Sequence, residues 1–268
     1  MIAIISDIHG NIHALEAVLS DMPKEKITDI WVLGDMIGGS SPFSIQVLDR
    51  IMGLANVSAV QGNWEVGLTA IRKNGYDDLR AGGTQTAGHV YIMDSLKSHH
   101  CDFVEQLPLT KQIGDKLLFH GTLDDPEVKI DSQSHAEAVA ANQDAKWIFC
   151  GHSHVSQMYK VGDKRVICVG SVGLSFDGIG GTACYVLLDG DHIVFRHVAY
   201  DVDAFLRDAK ENGMYERQPG FAVATELTLK TGKNHINEEA NSLGEFANNF
   251  NGTWEEAERA YVEANHKW

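Results

Sequence analysis

Five short strings in this chain carry side chains able to hold a metal ion: Asp7-Ile8-His9-Gly10-Asn11, Gly34-Asp35, Gly62-Asn63, His120-Gly121 and Gly151-His152-Ser153-His154. Together they offer imidazole nitrogens and carboxylate or amide oxygens, with no thiolate. That donor mix suits Mn²⁺, Fe or Zn²⁺ better than Ca²⁺ or Cu(I). One such histidine alone would read as a hydrogen-bonded surface residue, and Asp7 or Asp35 alone as a turn or helix cap. His9, His120, His152 and His154 in one ordered series read as ligands. In an extended strand tip, residues two apart point to the same side. Asp7 with His9, and His152 with His154, are therefore expected to reach one ion or two adjacent ions.

Ligands converge only if the elements beneath them do. Each string follows a short apolar run: Ile2 to Ile5, Ile30 to Leu33, Val57 to Val60, Leu117 to Phe119 and Trp147 to Cys150. Between the first runs lie helical stripes, such as Ile12, Leu15, Val18, Leu19 and Met22, closed by Pro23. The front of the chain thus reads as β-α-β-α-β, and an open α/β sheet gathers ligands beyond the carboxyl ends of its parallel strands. Gly10-Asn11 leads into the first helix, whose N-terminal N–H groups would face an anion. Asn11 reads equally as a turn or cap residue and as a contact that supports the site from behind, and is a candidate substrate-binding residue.

Four later runs, Gln157 to Val161, Arg165 to Val169, Ala183 to Leu188 and His192 to Val198, read as antiparallel strands. Residues 64–113 lack strand alternation and are expected to form a helical insertion. Residues 1–200 are expected to form one sandwich domain that includes it. Residues 201–268 read as a helical extension, packed on that domain or making a contact with a second copy. Capping boxes are expected at Ser134/Glu137 and Thr253/Glu256. His99 and His100 read as surface residues, and Arg72, Lys73 and Arg80 as a solvated helix face.

The chain has 268 residues, 22 Lys plus Arg against 37 Asp plus Glu, and a formal net charge of −15. Such a balance excludes a long basic track for DNA or RNA. It leaves room for a small phosphorylated or nucleotide substrate held by local positive charge. No apolar run reaches the roughly 18 residues of a membrane span, and the N-terminus carries no basic leader. The four widely spaced cysteines form no C-x-x-C and fit a reducing, cytoplasmic setting. Cys150, Cys168 and Cys184 read as small buried hydrophobes.

In the order D-x-H, G-D, G-N, H-G, G-H-x-H, the five strings resemble those of the calcineurin-like metallophosphoesterase superfamily. The resemblance implies an α/β fold, a four-layer α/β/β/α sandwich with two divalent metal ions at one edge. Asp7, His9, Asp35 and His154 would hold the first ion, and Asp35, Asn63, His120 and His152 the second, with Asp35 bridging. Mn²⁺ is the expected metal, with Fe, Zn²⁺ or Ni²⁺ as alternatives. The implied activity is hydrolysis of a phosphoester by a metal-bridging hydroxide. At one point the chain departs from the pattern: many members have Gly-Asn-His-Glu or Gly-Asn-His-Asp, with the His as a proposed acid, and this chain has Gly62-Asn63-Trp64-Glu65. An indole N–H donates a hydrogen bond but no proton at neutral pH. The Trp form resembles small bacterial phosphodiesterases and diadenosine polyphosphate hydrolases, whose leaving groups need less help. Trp64 is also expected to stack on a substrate base. A phosphomonoesterase, or a metal-bound scaffold that binds a protein partner, remains as an alternative, and a homo-oligomer stays open.

Overall fold

A computed structural model describes residues 1–24, 26–39, 41–75 and 84–266. Its first half alternates strand and helix: β1 (Ile2–Ile5), α1 (Ile12–Asp21), β2 (Asp29–Val32), α2 (Ser44–Met52), β3 (Val57–Ala59). Three helices follow, α3 (Asn63–Asn74), α4 (Thr84–Ser95) and α5 (Ser98–Gln106). Then come β4 (Thr110–Ile113), β5 (Lys116–Phe119), α6 (Gln133–Ala140), β6 (Trp147–Cys150), β7 (Ser156–Val161), β8 (Lys164–Val169), β9 (Thr182–Asp189) and β10 (His192–Ala199). The chain closes with α7 (Val202–Glu211), α8 (Met214–Arg217), α9 (Pro219–Thr231), α10 (Ile236–Asn248) and α11 (Trp254–Asn265).

The strands form two five-stranded sheets, ordered β10-β9-β1-β2-β3 and β4-β5-β6-β8-β7. β1, β2 and β3 run parallel, as do β5, β6 and β8. Side-chain alternation explains the layering. Along β1, Ile4 faces the second sheet and meets a core that includes Trp31, Phe149, Ile167 and Val186. Its neighbours Ala3 and Ile5 face the other way, onto Leu15 and Val18 of α1 and Leu48 of α2. Phe119, Cys150 and Cys168 likewise turn outward, against Ala136 and Ala140 of α6. Period-2 strands with apolar residues on both faces demand helices on both outer sides, and the result is an α/β/β/α sandwich.

Four expectations needed correction. Residues 110–113 form a strand, paired antiparallel to β5 through a turn at Gly114 (φ +60°). The Gly114-Asp115 dipeptide was the available signal, masked by a polar four-residue run at a sheet edge. Not all the later strands are antiparallel, since β8 pairs parallel to β6. Ser132, two residues before Ser134, caps α6 and accepts a hydrogen bond from the His135 N–H. Thr253 and Glu256 do form the expected capping box. All four cysteines are buried. His100 is buried too, holding Asp49 of α2 at 2.8 Å, where a surface position was expected.

α7 to α9 pack on the sandwich through a core of Phe43, Leu174, Phe205, Leu206, Ala222 and Leu229. α10 and α11 attach to α9 through Val223, Leu243, Tyr261 and Val262. No described helix is long and apolar enough to cross a membrane.

Candidate metal centre

β1, β2 and β6 each end in a tight turn that carries the donor residues. Asp7, His9, Asp35, His152 and His154 all have φ between +47° and +61°. The left-handed region is sparsely populated by residues with a Cβ, and clusters of such outliers mark functional sites. The tips are therefore not extended, as the D-x-H and H-x-H spacings had suggested. Left-handed turns bring both members of each pair inward. Backbone bonds lock the turns to one another: the Asp7 N–H donates to Gly34 O (3.1 Å), His9 N–H to Asp35 O (2.9 Å) and Gly10 N–H to Met36 O (2.9 Å).

Two groups of donors result. Asp7, His9 and His154 place one ligand atom each within 4.8 Å of one another, and so do Asp35, His120 and His152. Asp35 Oδ2 lies 3.7 Å from His9 Nε2 and 3.3 Å from His120 Nε2, between the groups. Asn63 Oδ1 lies 3.1 Å from His120 Nε2. Three of the four histidines have a backbone partner on the ring nitrogen turned away from the site. His120 Nδ1 faces Leu33 O, and His154 Nδ1 faces Leu174 O, both at 2.7 Å. His152 Nε2 faces Glu127 O at 2.8 Å. Such outer contacts fix the tautomer so that the free nitrogen's lone pair points at the site. Asp7 Oδ2 accepts the His152 N–H (3.0 Å), whereas its Oδ1, 3.2 Å from His154 Nε2, is buried and makes no hydrogen bond among the described residues. Burying a carboxylate oxygen unpaired is costly, and a cation here removes that cost. The donor set fits two hard-to-borderline divalent ions, with Asp35 able to touch both.

Residues 1–192 match the family model of the calcineurin-like phosphoesterase superfamily domain. The chain belongs to the calcineurin-like phosphoesterase superfamily. It is 30% identical over 240 residues to an uncharacterized protein of Methanocaldococcus jannaschii, spanning 82% of this chain and 94% of that protein. Among solved structures, it resembles a metallophosphoesterase from Sphaerobacter thermophilus (TM-score 0.69, 25% identity, 85% of this chain and 98% of the other). A hypothetical protein from Pyrococcus horikoshii shares the fold (TM-score 0.68, 20% identity, 87% and 99%). Both similarities extend beyond the 192 residues of the family model and so take in part of the C-terminal helices. The protein is a metal-dependent phosphoester hydrolase by family.

Within this phosphoesterase the electrostatics follow from burial and crowding. Burial alone would raise the Asp7 carboxyl, but His154, His120 and His9 hold it well below the carboxylate range. Asp35 is lowered in the same way, chiefly by His120 against its burial. Burial lowers His9 to about 4, against the pull of Asp35. Burial opposes charge on His120 as well, yet Asp35 and Asp7 push it up to about 10.

Glu65 was not singled out from the sequence. Its carboxylate is fully buried and accepts four backbone N–H groups, from Asp35 and Gly62 on Oε2 and from Met36 and Ile37 on Oε1. It pins the turn that carries Asp35 to the turn that carries Asn63. Gly62 must lack a Cβ, which would lie 2.1 Å from Asp35 Oδ1. Ser171 is a second clamp: its hydroxyl donates to Asp7 O and accepts from the Leu174 N–H, both at 2.7 Å.

The structure bears out the capping reading of Asn11 and gives Trp64 protein partners. Asn11 is buried and fully engaged: Oδ1 caps α1 at the Ala14 N–H, and Nδ2 donates to Gly173 O and the Tyr200 hydroxyl. No group is left for substrate. Trp64 borders the cleft but is 6% exposed, with His89 stacked on its ring at 4.2 Å and its edge toward His9. It braces His9 rather than offering a face to a base. Arg72 pairs with Asp102 and Glu105 on the surface, and Arg80 lies outside the described residues.

Proposed function

We propose that this protein is a dinuclear metal-dependent phosphodiesterase, acting on a small phosphodiester or a nucleotide phosphoanhydride such as a diadenosine polyphosphate. The observation that carries the reading is the pair of three-donor groups joined at Asp35, with Asp7 Oδ1 of the first group buried and making no hydrogen bond among the described residues. Two divalent ions in such a site supply Lewis acidity to the phosphoryl oxygens and lower the pKa of water at neutral pH. Asp7, His9 and His154 would hold one, and Asp35, Asn63, His120 and His152 the other. Mn²⁺ is the proposed metal.

The protein's own residues set the preference for leaving group. The position of the usual acid holds Trp64, whose indole cannot protonate an oxygen, and an absent general acid costs about 10²–10⁴ in rate. That loss is greatest for alkoxides and small for anhydrides and aryl oxides, so good leaving groups are favoured. The proposed partner is a small substrate in the cytoplasm, without a role for long nucleic acid or membrane.

Purified protein dialysed against Mn²⁺ should retain about two ions per chain and hydrolyse an aryl phosphodiester. Fewer than one ion per chain, with no Mn²⁺-dependent turnover, would overturn the assignment. Faster turnover of serine phosphate and sugar phosphates than of dinucleoside polyphosphates and aryl diesters would overturn the leaving-group argument alone.

A further inference from the structure

The metal centre lies at one end of a cavity of about 1060 Å³. That exceeds what a bare phosphoryl group needs and matches the roughly 300–1,000 Å³ of sites that enclose whole organic ligands. The other half of its lining comes from the C-terminal helices and from β7, including Phe221, Lys233, Asn234, Asn237, Trp254 and Tyr159. We propose that this half is a nucleoside subsite, holding the base and sugar of a nucleotide ester whose phosphoryl group sits at the metals. The inference rests on the hydrolase reading above and adds the substrate class.

Three features select a nucleoside over other organic groups. First, the walls are aromatic and apolar but carry amides. The Asn237 side chain makes no hydrogen bond among the described residues, and it sits one turn from Asn234, whose Oδ1 accepts the Asn237 N–H. Stacking surface beside amides suits a flat heterocycle with a polar edge; an alkyl chain would leave those amides unused. Second, this half cannot follow a long polyphosphate. Lys129 pairs with Asp131, and Glu127 and Glu239 add negative charge. Lys233 has no ion pair among the described residues and can meet one further anionic group. Apart from one group at Lys233, negative charge on the substrate is thus confined to the metal end. Third, the wall is anchored to the metal-bearing loop. The Phe221 ring lies over Gly39, in the loop after β2 that carries Asp35. The Gly220 N–H donates to the buried Glu258 carboxylate of α11 at 3.0 Å. The subsite is therefore tied to the same loop that holds the bridging ligand.

The test compares two Mn²⁺-dependent substrates with one leaving group: adenosine 5′-(4-nitrophenyl phosphate) and methyl 4-nitrophenyl phosphate. The nucleoside ester should have a kcat/KM at least about tenfold higher, the worth of one stacked base. Phe221→Ala and Asn237→Ala should each shrink that ratio about three- to tenfold, mainly through KM of the nucleoside ester. Asn237 is exposed, so its variant will fold even if Phe221→Ala does not. Calorimetric binding of adenosine 5′-monophosphate to the Mn²⁺-loaded protein needs no turnover and should weaken in the same variants. A wild-type ratio near one, equal gain from a hexyl 4-nitrophenyl phosphate, or an unchanged ratio in both variants would overturn the subsite. No hydrolysis of either ester, with variant-sensitive nucleotide binding intact, would sink the hydrolase reading and leave the subsite standing.

Discussion

Replacing Glu65 by Gln keeps the side chain's size and shape but turns one carboxylate oxygen into an amide nitrogen. Each oxygen of this carboxylate accepts two backbone N–H groups, at 2.8–3.3 Å. In Glu65→Gln one oxygen becomes an NH₂ group, and whichever way the amide turns, two N–H donors face another donor. Hydrogen bonds to a charged acceptor are worth about 1.5–3 kcal/mol each, so the loss is about 3–6 kcal/mol. For a chain of this size that is a fall in Tm of about 5–11 °C. The turns it joins carry Asp35 and Asn63, so metal affinity should drop about 10- to 100-fold, as for other supporting contacts. Metal stabilises the fold by RT ln(1 + [L]/Kd), so the gain in stability on adding Mn²⁺ should shrink by about 1.4–2.7 kcal/mol. Burial and the Asp35 charge push the metal-free Glu65 carboxyl up to about 7, so the comparison belongs at pH 8, where it is ionised. Scanning calorimetry of both proteins, with EDTA and with saturating Mn²⁺, reads all three quantities. A variant that melts within about 3 °C of wild type and keeps both ions would refute the claim that Glu65 clamps the site.

Metal and protons should compete. In the metal-free protein His120 is pushed up to about 10 by Asp35 and Asp7, so an ion must displace its proton. Apparent Mn²⁺ affinity should rise about tenfold per pH unit between pH 7 and 9 for each proton released; a flat profile by metal titration counts against this. By the same shift, the stabilisation that His120 gives the metal-free fold is complete below pH 6.5 and lost as pH rises toward about 10. Gly62→Ala places a Cβ 2.1 Å from Asp35 Oδ1 and 2.4 Å from the Asp35 nitrogen; it should empty the site, and full metal content by elemental analysis would contradict the packing argument. Phe149 is fully buried between the sheets, 5.9 Å from the Trp31 ring. Phe149→Ala should cost about 3–5 kcal/mol in urea unfolding, and a loss under about 1 kcal/mol would show that the core collapses around the gap.

Nine of the ten described strands, and the gathering of the candidate donors at strand ends, were readable from local signals: a short apolar run, and for the donors a polar residue beside glycine at its end. What escaped depended on the third dimension. Nothing in Gly62-Asn63-Trp64-Glu65 shows that the glutamate reaches back to the loop after β2. Asn11 sat between two readings until Gly173 and Tyr200, far along the chain, took up its amide. β4 was hidden because an edge strand needs no apolar alternation. The helical character of the tail was plain from its caps and periodicity. Its place along the wall of the cleft was not, since that follows from how Phe43, Leu174 and Ala222 pack together.

The left-handed turns at Asp7, His9, Asp35, His152 and His154 set stability against activity. Each places a residue with a side chain in a conformation that glycine would adopt freely, at a cost of about 1 kcal/mol or more. Summed over five positions, the penalty is comparable to the whole margin of a typical fold, about 5–15 kcal/mol. A selection for thermal stability alone, run on the metal-free chain, should therefore drift toward glycine or asparagine at these five positions. It would return a sturdier sandwich with no grip on an ion. The donors persist only under selection for what the ions do.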